Sequence, residues 1–149
     1  FEKVMQGKFL YLRLLHKSDL DRTYEWLHRP DIYSKIGVQV SFTKAQQKQW
    51  FENLKIDKTK KVFAVCMVKD NTHIGNVSLD MIDLRHGNAR LSIFIADKTE
   101  RGKSLGSETL ALLENYAFHT LGFHKIWCKT DDGYPEVLNF YKKLGFKVY

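Results

Sequence analysis

The stretch ARLSIFIADKTERGKSLGSETL, residues 89–110, decides how this chain folds. In its first part Leu91, Ile93 and Ile95 alternate with other residues, which predicts a β-strand. Its last part opens an amphipathic pattern that ends near Gly122, which predicts an α-helix with a glycine after its C-terminus. Between the two lies a basic loop with two glycines. The stretch therefore predicts a strand, a loop and a helix in immediate succession, with the loop at the helix N-terminus.

The loop contains Gly-Lys-Ser at residues 102–104, which is also the end of a Walker A phosphate-binding loop. The first glycine of that motif would fall on Asp97, whose carboxylate conflicts with phosphate binding, and a dinucleotide fingerprint lacks its third glycine. The free N–H groups and the dipole of a helix N-terminus still favour an anion, and Arg101 and Lys103 add positive charge. The loop is therefore either a phosphate site or a tight turn with solvated basic side chains.

Outside this stretch, hydrophobic periodicity and turn residues predict a mixed α/β sheet in a single domain, residues 1–149, with the element order β-α-α-β-β-β-α-β-α-β. Strands joined by short turns should be antiparallel, whereas strands joined through helices should be parallel. Capping boxes are predicted at Ser18 with Asp21 and at Thr43 with Gln46. The strands are predicted at residues 8–15, 61–68, 74–83, 89–97, 124–130 and from 146 onward, and the helices at residues 18–30, 43–54, 105–122 and 134–145.

Composition limits the class of protein. Hydrophobic residues make up 44% of the 149, which is enough for a core. No apolar run has the roughly 20 residues of a membrane span, and the first residues lack the apolar region of a signal peptide. Cys66 and Cys128 lie in apolar stretches, which predicts free thiols, so we expect a soluble, cytoplasmic protein. The net charge of +7 favours anionic partners, and charge alone supports a nucleic-acid-binding module.

The element order, the loop described above and the ending NFYKKLGF together resemble the GNAT superfamily of acetyl-CoA-dependent N-acetyltransferases, above all its ribosomal-protein and spermidine acetyltransferase branch. The resemblance covers nearly the whole chain, from YLRLLHKSDLDRTYEWLHRPDIY through IGNVSLDMID to FYKKLGF. The cofactor loop of that family, Arg/Gln-x-x-Gly-x-Gly/Ala, aligns with Arg101 to Gly106, and Ser104 replaces its central glycine. The resemblance implies a GNAT-like fold, whose last strand or strands we expect to lie beyond residue 149.

Such a resemblance implies that the chain transfers an acetyl group from acetyl-CoA directly to a primary amine, without an acyl-enzyme and without a metal. The acceptor would be a small molecule, such as an amino sugar (free or nucleotide-linked) or a polyamine, or else a protein N-terminus. Tyr134 stands where many family members have an asparagine that contacts CoA. The residues implied in acetyl-CoA binding are Ile93, Phe94, Ile95, Arg101, Gly102, Lys103, Ser104, Leu105, Gly106, Ser107, Tyr134 and Tyr141.

Tyr141 matches the tyrosine that the family places near the CoA sulfur, so the resemblance implies that it acts as the general acid. Taken alone, its spacing also fits a core aromatic residue on a helix. Many relatives carry a glutamate on the strand where this chain has Arg90, so the general base must lie elsewhere. Asp80, Asp83 and His86 are the candidates. Each also fits a solvated or turn residue, and a chain of waters could carry the proton instead.

The resemblance places the acceptor site between the first two helices and the hairpin strands. An aromatic wall with one acid suits a protonated amine or a sugar ring, although the tryptophans also fit plain helix packing. Two other classes stay open: a non-catalytic acyl-CoA-binding domain of the same fold, and the nucleic-acid module, which we disfavour. A homodimer is compatible with the resemblance, and no membrane partner is expected. The predicted acceptor residues are Trp26, His28, Asp31 and Tyr33, with Trp50 and Phe51 nearby.

Overall fold

One mixed β-sheet organises the computed structural model of this chain, which describes residues 2–32, 42–96, 105–129 and 135–147. Within these residues the six strands lie side by side in the order in which they occur along the chain. The first five pair antiparallel, and the sixth pairs parallel with the fifth, as the turn lengths predict. The strands are β1 (Lys3–Gln6), β2 (Leu10–Leu14), β3 (Lys61–Met67), β4 (His73–Asp83), β5 (Asn88–Ile95) and β6 (Lys125–Trp127).

Helices cover both faces of the sheet. Thr43 and Gln46 form the predicted capping box of the second helix, in which each side chain accepts a hydrogen bond from the backbone N–H of the other residue. The third helix continues as a π-helical segment, and Gly122 follows it with φ of 73°. Residues 146 and 147 belong to no strand, and 148–149 lie outside the described residues. The helices are α1 (Leu20–Leu27), α2 (Lys44–Leu54), α3 (Leu105–Asn115) and α4 (Pro135–Lys143).

Strand β1 is absent from the predicted order. Its residues are mostly exposed and show no apolar alternation, so the sequence carries no strand signal there. Two contacts hold it in place. It pairs with β2, and the Glu108 carboxylate of α3 accepts hydrogen bonds from the backbone N–H groups of Lys8, Phe9 and Leu10 at 2.7–3.2 Å. A Cβ at Gly7 would lie 3.0 Å from this carboxyl group, so glycine leaves room for the Glu108 side chain at the turn.

Side-chain alternation along the strands divides the core into two layers. Leu10 and Leu12 of β2 lie in the larger cluster with α3 and α4, whereas Tyr11, between them, lies in a smaller cluster with α1 and α2. Strand β3 alternates in the same way: Phe63 belongs to the larger cluster and Ala64 to the smaller. The sheet is therefore the middle of three layers, and the two helix pairs lie on opposite faces of it.

The two cysteines are free thiols, with Cys66 buried and Cys128 half-buried. Among the described residues no helix is long and apolar enough to cross a membrane.

Candidate active site

Strands β5 and β6 run side by side over three residue pairs and then separate. Asn88–Arg90 pairs with Lys125–Trp127, while β5 continues alongside β4. In an antiparallel ladder, residues whose N–H and C=O groups bond across the pair alternate with residues whose groups face away. The Ala96 N–H donates to the Ile74 carbonyl oxygen at 2.7 Å, so by alternation the backbone groups of Ile93 face away from β4, toward the gap beside β6. An extended ligand with amide groups would find backbone partners there.

The N-terminus of α3 packs closely against α4 at this gap. A Cβ at Gly106 would lie 3.0 Å from Cζ of Phe140, so glycine lets the two helices approach. The predicted cofactor residues divide into those that the structure describes and those that it does not. Leu105 is buried and Ser107 half-buried at this helix end, Ile93 and Ile95 are half-buried on β5, and Arg101, Gly102, Lys103, Ser104 and Tyr134 lie outside the described residues.

Tyr141 of α4 is 8% exposed and belongs to the larger core cluster. Its ring meets those of Phe140 and Phe146 at centroid distances of 5.2 and 5.4 Å. Burial raises the pKa of Tyr141 well above its ordinary value, and the neighbouring Cys128 thiol adds to the effect. The phenol therefore keeps its proton at neutral pH. The two interpretations offered by the sequence, core aromatic and proton donor, are compatible in this position.

The carboxylates predicted as general bases already form hydrogen bonds with neighbouring residues. Asp80 accepts two hydrogen bonds from the guanidinium of Arg90 on β5, at 2.7 and 2.6 Å. Asp83, in the β4–β5 turn, bonds the backbone N–H and the ring of His86. These hydrogen bonds hold the pKa of Asp83 below its usual value. Asp80 is held in an ion pair with Arg90, and the lowered pKa of Asp83 lies further from neutral pH than that of a free carboxyl, so neither arrangement favours the role of general base.

A cavity of about 360 Å³ opens between α1, α2 and the sheet, on the face opposite α3 and α4. Most of the surface that its walls expose is apolar, although half of the described lining residues are uncharged polar ones, and no Asp, Glu, Lys or Arg occurs among them. A pocket of this composition suits an uncharged, largely apolar group. The lining residues are Thr23, Leu27, Phe42, Gln46, Gln47, Trp50, Val62, Asn76, Val77, Ser78, Ser92 and Phe94.

The predicted acceptor residues lie around this cavity rather than in its wall. The Trp26 ring meets those of His73 and Phe94 at 4.7 and 6.2 Å, and so supports the wall from behind. His28 stacks on Tyr24 at 4.1 Å. Asp31 forms an ion pair with Arg29 at 2.9 Å, Phe51 is in the core, and Tyr33 lies outside the described residues. Of the aromatic residues named from the sequence for this site, Trp50 lines the cavity.

A buried polar network supports the cavity from below, and the sequence analysis missed it. Arg13 of β2 donates to both carboxylate oxygens of Asp19 at 2.7 and 2.9 Å, and both side chains are almost fully buried. His73 Nδ1 lies 3.5 Å from Asp19 Oδ1, and His73 Nε2 lies 2.7 Å from Oδ1 of Asn76 in the cavity wall. Polar residues inside two otherwise apolar strands were the available sequence signal, because buried polar groups need partners.

The same network corrects the predicted start of the first helix. Ser18 does not cap it with Asp21. Instead, a 3-10 turn, Lys17–Asp19, precedes α1, and the backbone N–H of His16 donates to Asp19 Oδ2 at 2.8 Å. Asp19 is the side chain that Arg13 of β2 binds, so an ion pair between the strand and this turn fixes which residue closes the cap.

We expect acid to destabilise the fold through this network. Burial lowers the pKa of His73 below its ordinary value, so the unfolded chain takes up that proton first as the pH falls below about 6.5. Burial alone would raise the pKa of Asp19, but hydrogen bonds from Arg13 and His16 and the nearby charges lower it to about 2. A further loss of about 2 kcal/mol should therefore follow between about pH 4 and 2.

Urea unfolding at several pH values measures this effect. His73→Gln should remove the part of the slope near pH 6 and leave the part below pH 4. The same slope near pH 6 in both proteins would contradict the assignment to His73.

Comparison with known proteins identifies the family of this chain. Residues 10–147 match the family model for the acetyltransferase (GNAT) domain. The chain belongs to the GNAT acetyltransferase family. The predicted family, the mixed α/β fold and the acetyl-transfer function are thereby confirmed. In GNAT terms, the gap between β5 and β6 is the expected acetyl-CoA side of the sheet, and the cavity under α1 and α2 is the expected acceptor side.

Individual relatives are distant. An N-acetyltransferase 9-like protein of Caenorhabditis briggsae is 26% identical over 141 residues, which cover 86% of this chain and 69% of that protein. The human alpha/beta-tubulin-N-acetyltransferase 9 is 29% identical over 80 residues, 53% of this chain and 39% of that protein. A solved spermidine N-acetyltransferase from Vibrio cholerae, in complex with CoA and spermine, is 23% identical with a TM-score of 0.88, over 94% of this chain and 82% of that chain. This last likeness shows a shared GNAT fold.

Proposed function

We propose that this GNAT domain acetylates the α-amine of a polypeptide whose first residue is apolar. The observation that supports the proposal is the composition of the cavity: a mostly apolar wall surface, uncharged polar side chains and no carboxylate among the described lining residues. A polyamine carries several positive charges, which need carboxylates when they leave water. An apolar side chain next to a single amine fits this cavity better. The name of the human relative, a tubulin N-acetyltransferase, is consistent with a protein acceptor.

Acetyl-CoA, the acetyl donor, binds in the gap between β5 and β6 in this proposal. Those backbone groups in the segment Ile93 to Ile95 that face away from β4, as those of Ile93 do, bond its pantetheine arm, and the loop Arg101 to Gly106 with Ser107 holds its pyrophosphate at the N-terminus of α3. The separation of β5 from β6 and the close packing at Gly106 support this placement. Tyr134 contributes to the same site, as the resemblance implies.

In this proposal the two substrates bind on opposite sides of β5, where they can react with each other. The amine attacks the thioester carbon, the tetrahedral oxyanion accepts a hydrogen bond from a β5 backbone N–H, and Tyr141 protonates the departing thiolate. Because Asp80 and Asp83 are held by Arg90 and His86, we assign the proton of the attacking amine to water. We further propose a single domain over the whole chain, a location in the cytoplasm, where thiols stay reduced, and assembly as a homodimer.

Thiol release from acetyl-CoA tests the proposal across a panel of amines: peptides with a free N-terminal Met or Leu, spermidine, and glucosamine. We expect the peptides to have the highest kcat/KM. Faster turnover of spermidine or glucosamine would refute the peptide acceptor. Binding of CoA without turnover of any amine would instead favour a non-catalytic acyl-CoA-binding domain, and steeply salt-dependent binding to random DNA would favour the nucleic-acid module.

A charge added to the cavity should change the acceptor preference. Ser92 lies in the cavity wall opposite Ser78 on β4 and is exposed, so it tolerates a polar substitution. Ser92→Asp supplies the missing carboxylate and should raise the ratio of kcat/KM for spermidine over the peptide by about tenfold. Ser92→Asn has the same size without the charge and should give no such gain. Equal ratios for the two variants would mean that charge in the cavity does not select the acceptor.

A further inference from the structure

A one-way chain of hydrogen bonds runs from the surface to the floor of the cavity. Arg22 NH1 lies 2.7 Å from His73 Nδ1, and a guanidinium can only donate, so Nδ1 is the acceptor. The proton of the neutral ring is then on Nε2, which donates to Asn76 Oδ1 at 2.7 Å. This fixes the orientation of the Asn76 carboxamide, whose nitrogen donates to Thr23 Oγ1 at 3.2 Å. Every bond in the chain points toward Thr23.

The chain leaves one donor unused at its end. Thr23 is 4% exposed and its oxygen already accepts from Asn76, so its hydroxyl hydrogen still needs an acceptor. In the ranges that the structure describes, no acceptor for that hydrogen occurs. Thr109 of α3 shows the usual alternative, because its hydroxyl donates to the carbonyl oxygen of Leu105 at 2.8 Å. Thr23 lines the cavity, so an occupant of the cavity is the group that can satisfy it.

The groups around His73 keep the direction of the chain fixed. Arg22 and Arg13 face the ring with positive charge, and the Asp19 carboxylate lies 3.5 Å from Nδ1. A proton on Nδ1 would point at Arg22, so the neutral tautomer with its hydrogen on Nε2 is the stable one. Linked donors of this kind also polarise one another, which strengthens the last donor. The Thr23 hydroxyl is thus oriented before any ligand binds.

The position of this donor matches the reacting end of the site. Asn76, which bonds Thr23, pairs with Phe94 on β5, next to the residues assigned to acetyl-CoA. The hydrogen of a buried hydroxyl is complementary to a carbonyl oxygen, whereas a protonated amine, which can only donate, leaves that hydrogen without an acceptor. In a peptide the carbonyl carbon of the first residue is bonded directly to the Cα atom that carries the α-amine, so one acceptor can present both groups at once.

We infer that the Thr23 hydroxyl donates to the carbonyl oxygen of the acceptor's first residue, and that Arg22, His73 and Asn76 orient it for that contact. Thr23 is then a specificity residue that selects amines followed by a carbonyl group, and His73 and Asn76 are positioning residues. The inference rests on the proposed peptide acceptor. The acceptor is then selected both by the apolar walls of the cavity, which favour an apolar first side chain, and by the Thr23 hydroxyl, which favours a carbonyl group.

Two acceptors isolate the carbonyl group. One is a tetrapeptide amide that begins with a free Met. The other is 3-(methylthio)propylamine, which has the same amine and thioether chain without the carbonyl. A site built to hydrogen-bond a group discriminates strongly against an analogue that lacks it, so the wild-type protein should prefer the peptide in kcat/KM. If neither acceptor releases thiol from acetyl-CoA, the proposed function itself fails, and this inference fails with it.

Three variants then test which residues cause the preference for the peptide over the amine. Thr23→Val keeps the shape and removes the hydroxyl, so kcat/KM for the peptide should fall about tenfold while that for the amine changes less than twofold. Thr23→Ser keeps the donor and should retain the preference. Asn76→Asp reverses the last hydrogen bond, because the carboxylate accepts a hydrogen bond from the Thr23 hydroxyl. In this variant kcat/KM for the peptide should fall by a similar factor, although Thr23 is intact.

Thr109→Val, which removes a buried hydroxyl from α3, is the matched control and should leave the ratio between the two acceptors unchanged. Thermal unfolding of each variant confirms that it is folded. An equal loss for both acceptors in Thr23→Val, or an unchanged preference in that folded variant, would overturn the inference while the proposed function stands.

Discussion

Arg13→Met is expected to lower the free energy of unfolding by about 3–5 kcal/mol, which is a large part of the stability of one domain. The Arg13 and Asp19 side chains are 6% and 2% exposed, and two hydrogen bonds join them. Without the guanidinium, the buried carboxylate of Asp19 still accepts a hydrogen bond from the backbone N–H of His16 and a longer one, at 3.3 Å, from Arg22. Desolvation of that charge is then poorly compensated, which is the reason for the large effect.

Lys55→Met is the control for this experiment. Lys55 pairs with Glu52 on α2 at 3.2 Å, but both side chains are about half-exposed, so the change should stay below about 1 kcal/mol. Removing both charges, in Arg13→Met with Asp19→Leu, should recover much of the loss, since no carboxylate remains to be desolvated. Urea unfolding measures all three. A double variant no more stable than Arg13→Met would show that the loss has another origin than the unpaired charge.

Tyr141→Phe is expected to lower kcat by about 100-fold and to change the affinity for acetyl-CoA less than twofold. The substitution removes the phenolic proton and keeps the ring that packs between Phe140 and Phe146, and general acid catalysis contributes about 10²–10⁴ to the rate. Pre-steady-state turnover with a Met-initiated peptide gives the first quantity, and calorimetric titration with CoA gives the second.

Tyr116→Phe provides the matched comparison on the same face of the sheet. Tyr116 packs edge-to-face on Phe63 at 5.6 Å and has no proposed part in the reaction, so its loss of a hydroxyl should leave kcat within about twofold. Similar kcat values for Tyr141→Phe and the wild-type protein would show that Tyr141 is a core residue and that the thiolate takes its proton from elsewhere.

Local patterns were sufficient for the parts of the fold that depend on neighbouring residues. The apolar run at 61–68, the turn residues before 74–83 and the alternation in 89–97 predicted strands β3, β4 and β5, and the Thr43–Gln46 cap was visible in four consecutive residues. Strand β1 was not predictable in this way, because it has little apolar character of its own and is held by β2 and by a carboxylate about 100 positions away. Neighbour patterns carry no information about such partners.

The candidate site likewise has one part that local sequence patterns describe and another part that they do not. The strand, loop and helix around residues 89–110 were visible as a local pattern, which left a phosphate site and a tight turn open, and the resemblance to the GNAT family then favoured a cofactor site. The acceptor side depends on which side chains meet across α1, α2 and β4. Thr23, His73 and Asn76 come from two elements far apart in sequence, so no spacing rule joins them. Trp26 was assigned to the acceptor wall from the family resemblance and its aromatic character, whereas it supports that wall from behind.

The contact between Glu108 and the β1–β2 turn also bears on the order of folding. It joins backbone groups of residues 8–10 to the first turns of α3, so it closes a loop that spans most of the chain. Contacts between residues so far apart in sequence are slow to form, because the chain must lose much of its freedom before they are made. We therefore expect the N-terminal end of α3, where we propose that acetyl-CoA binds, to take its final position late in folding, after the helix itself is formed.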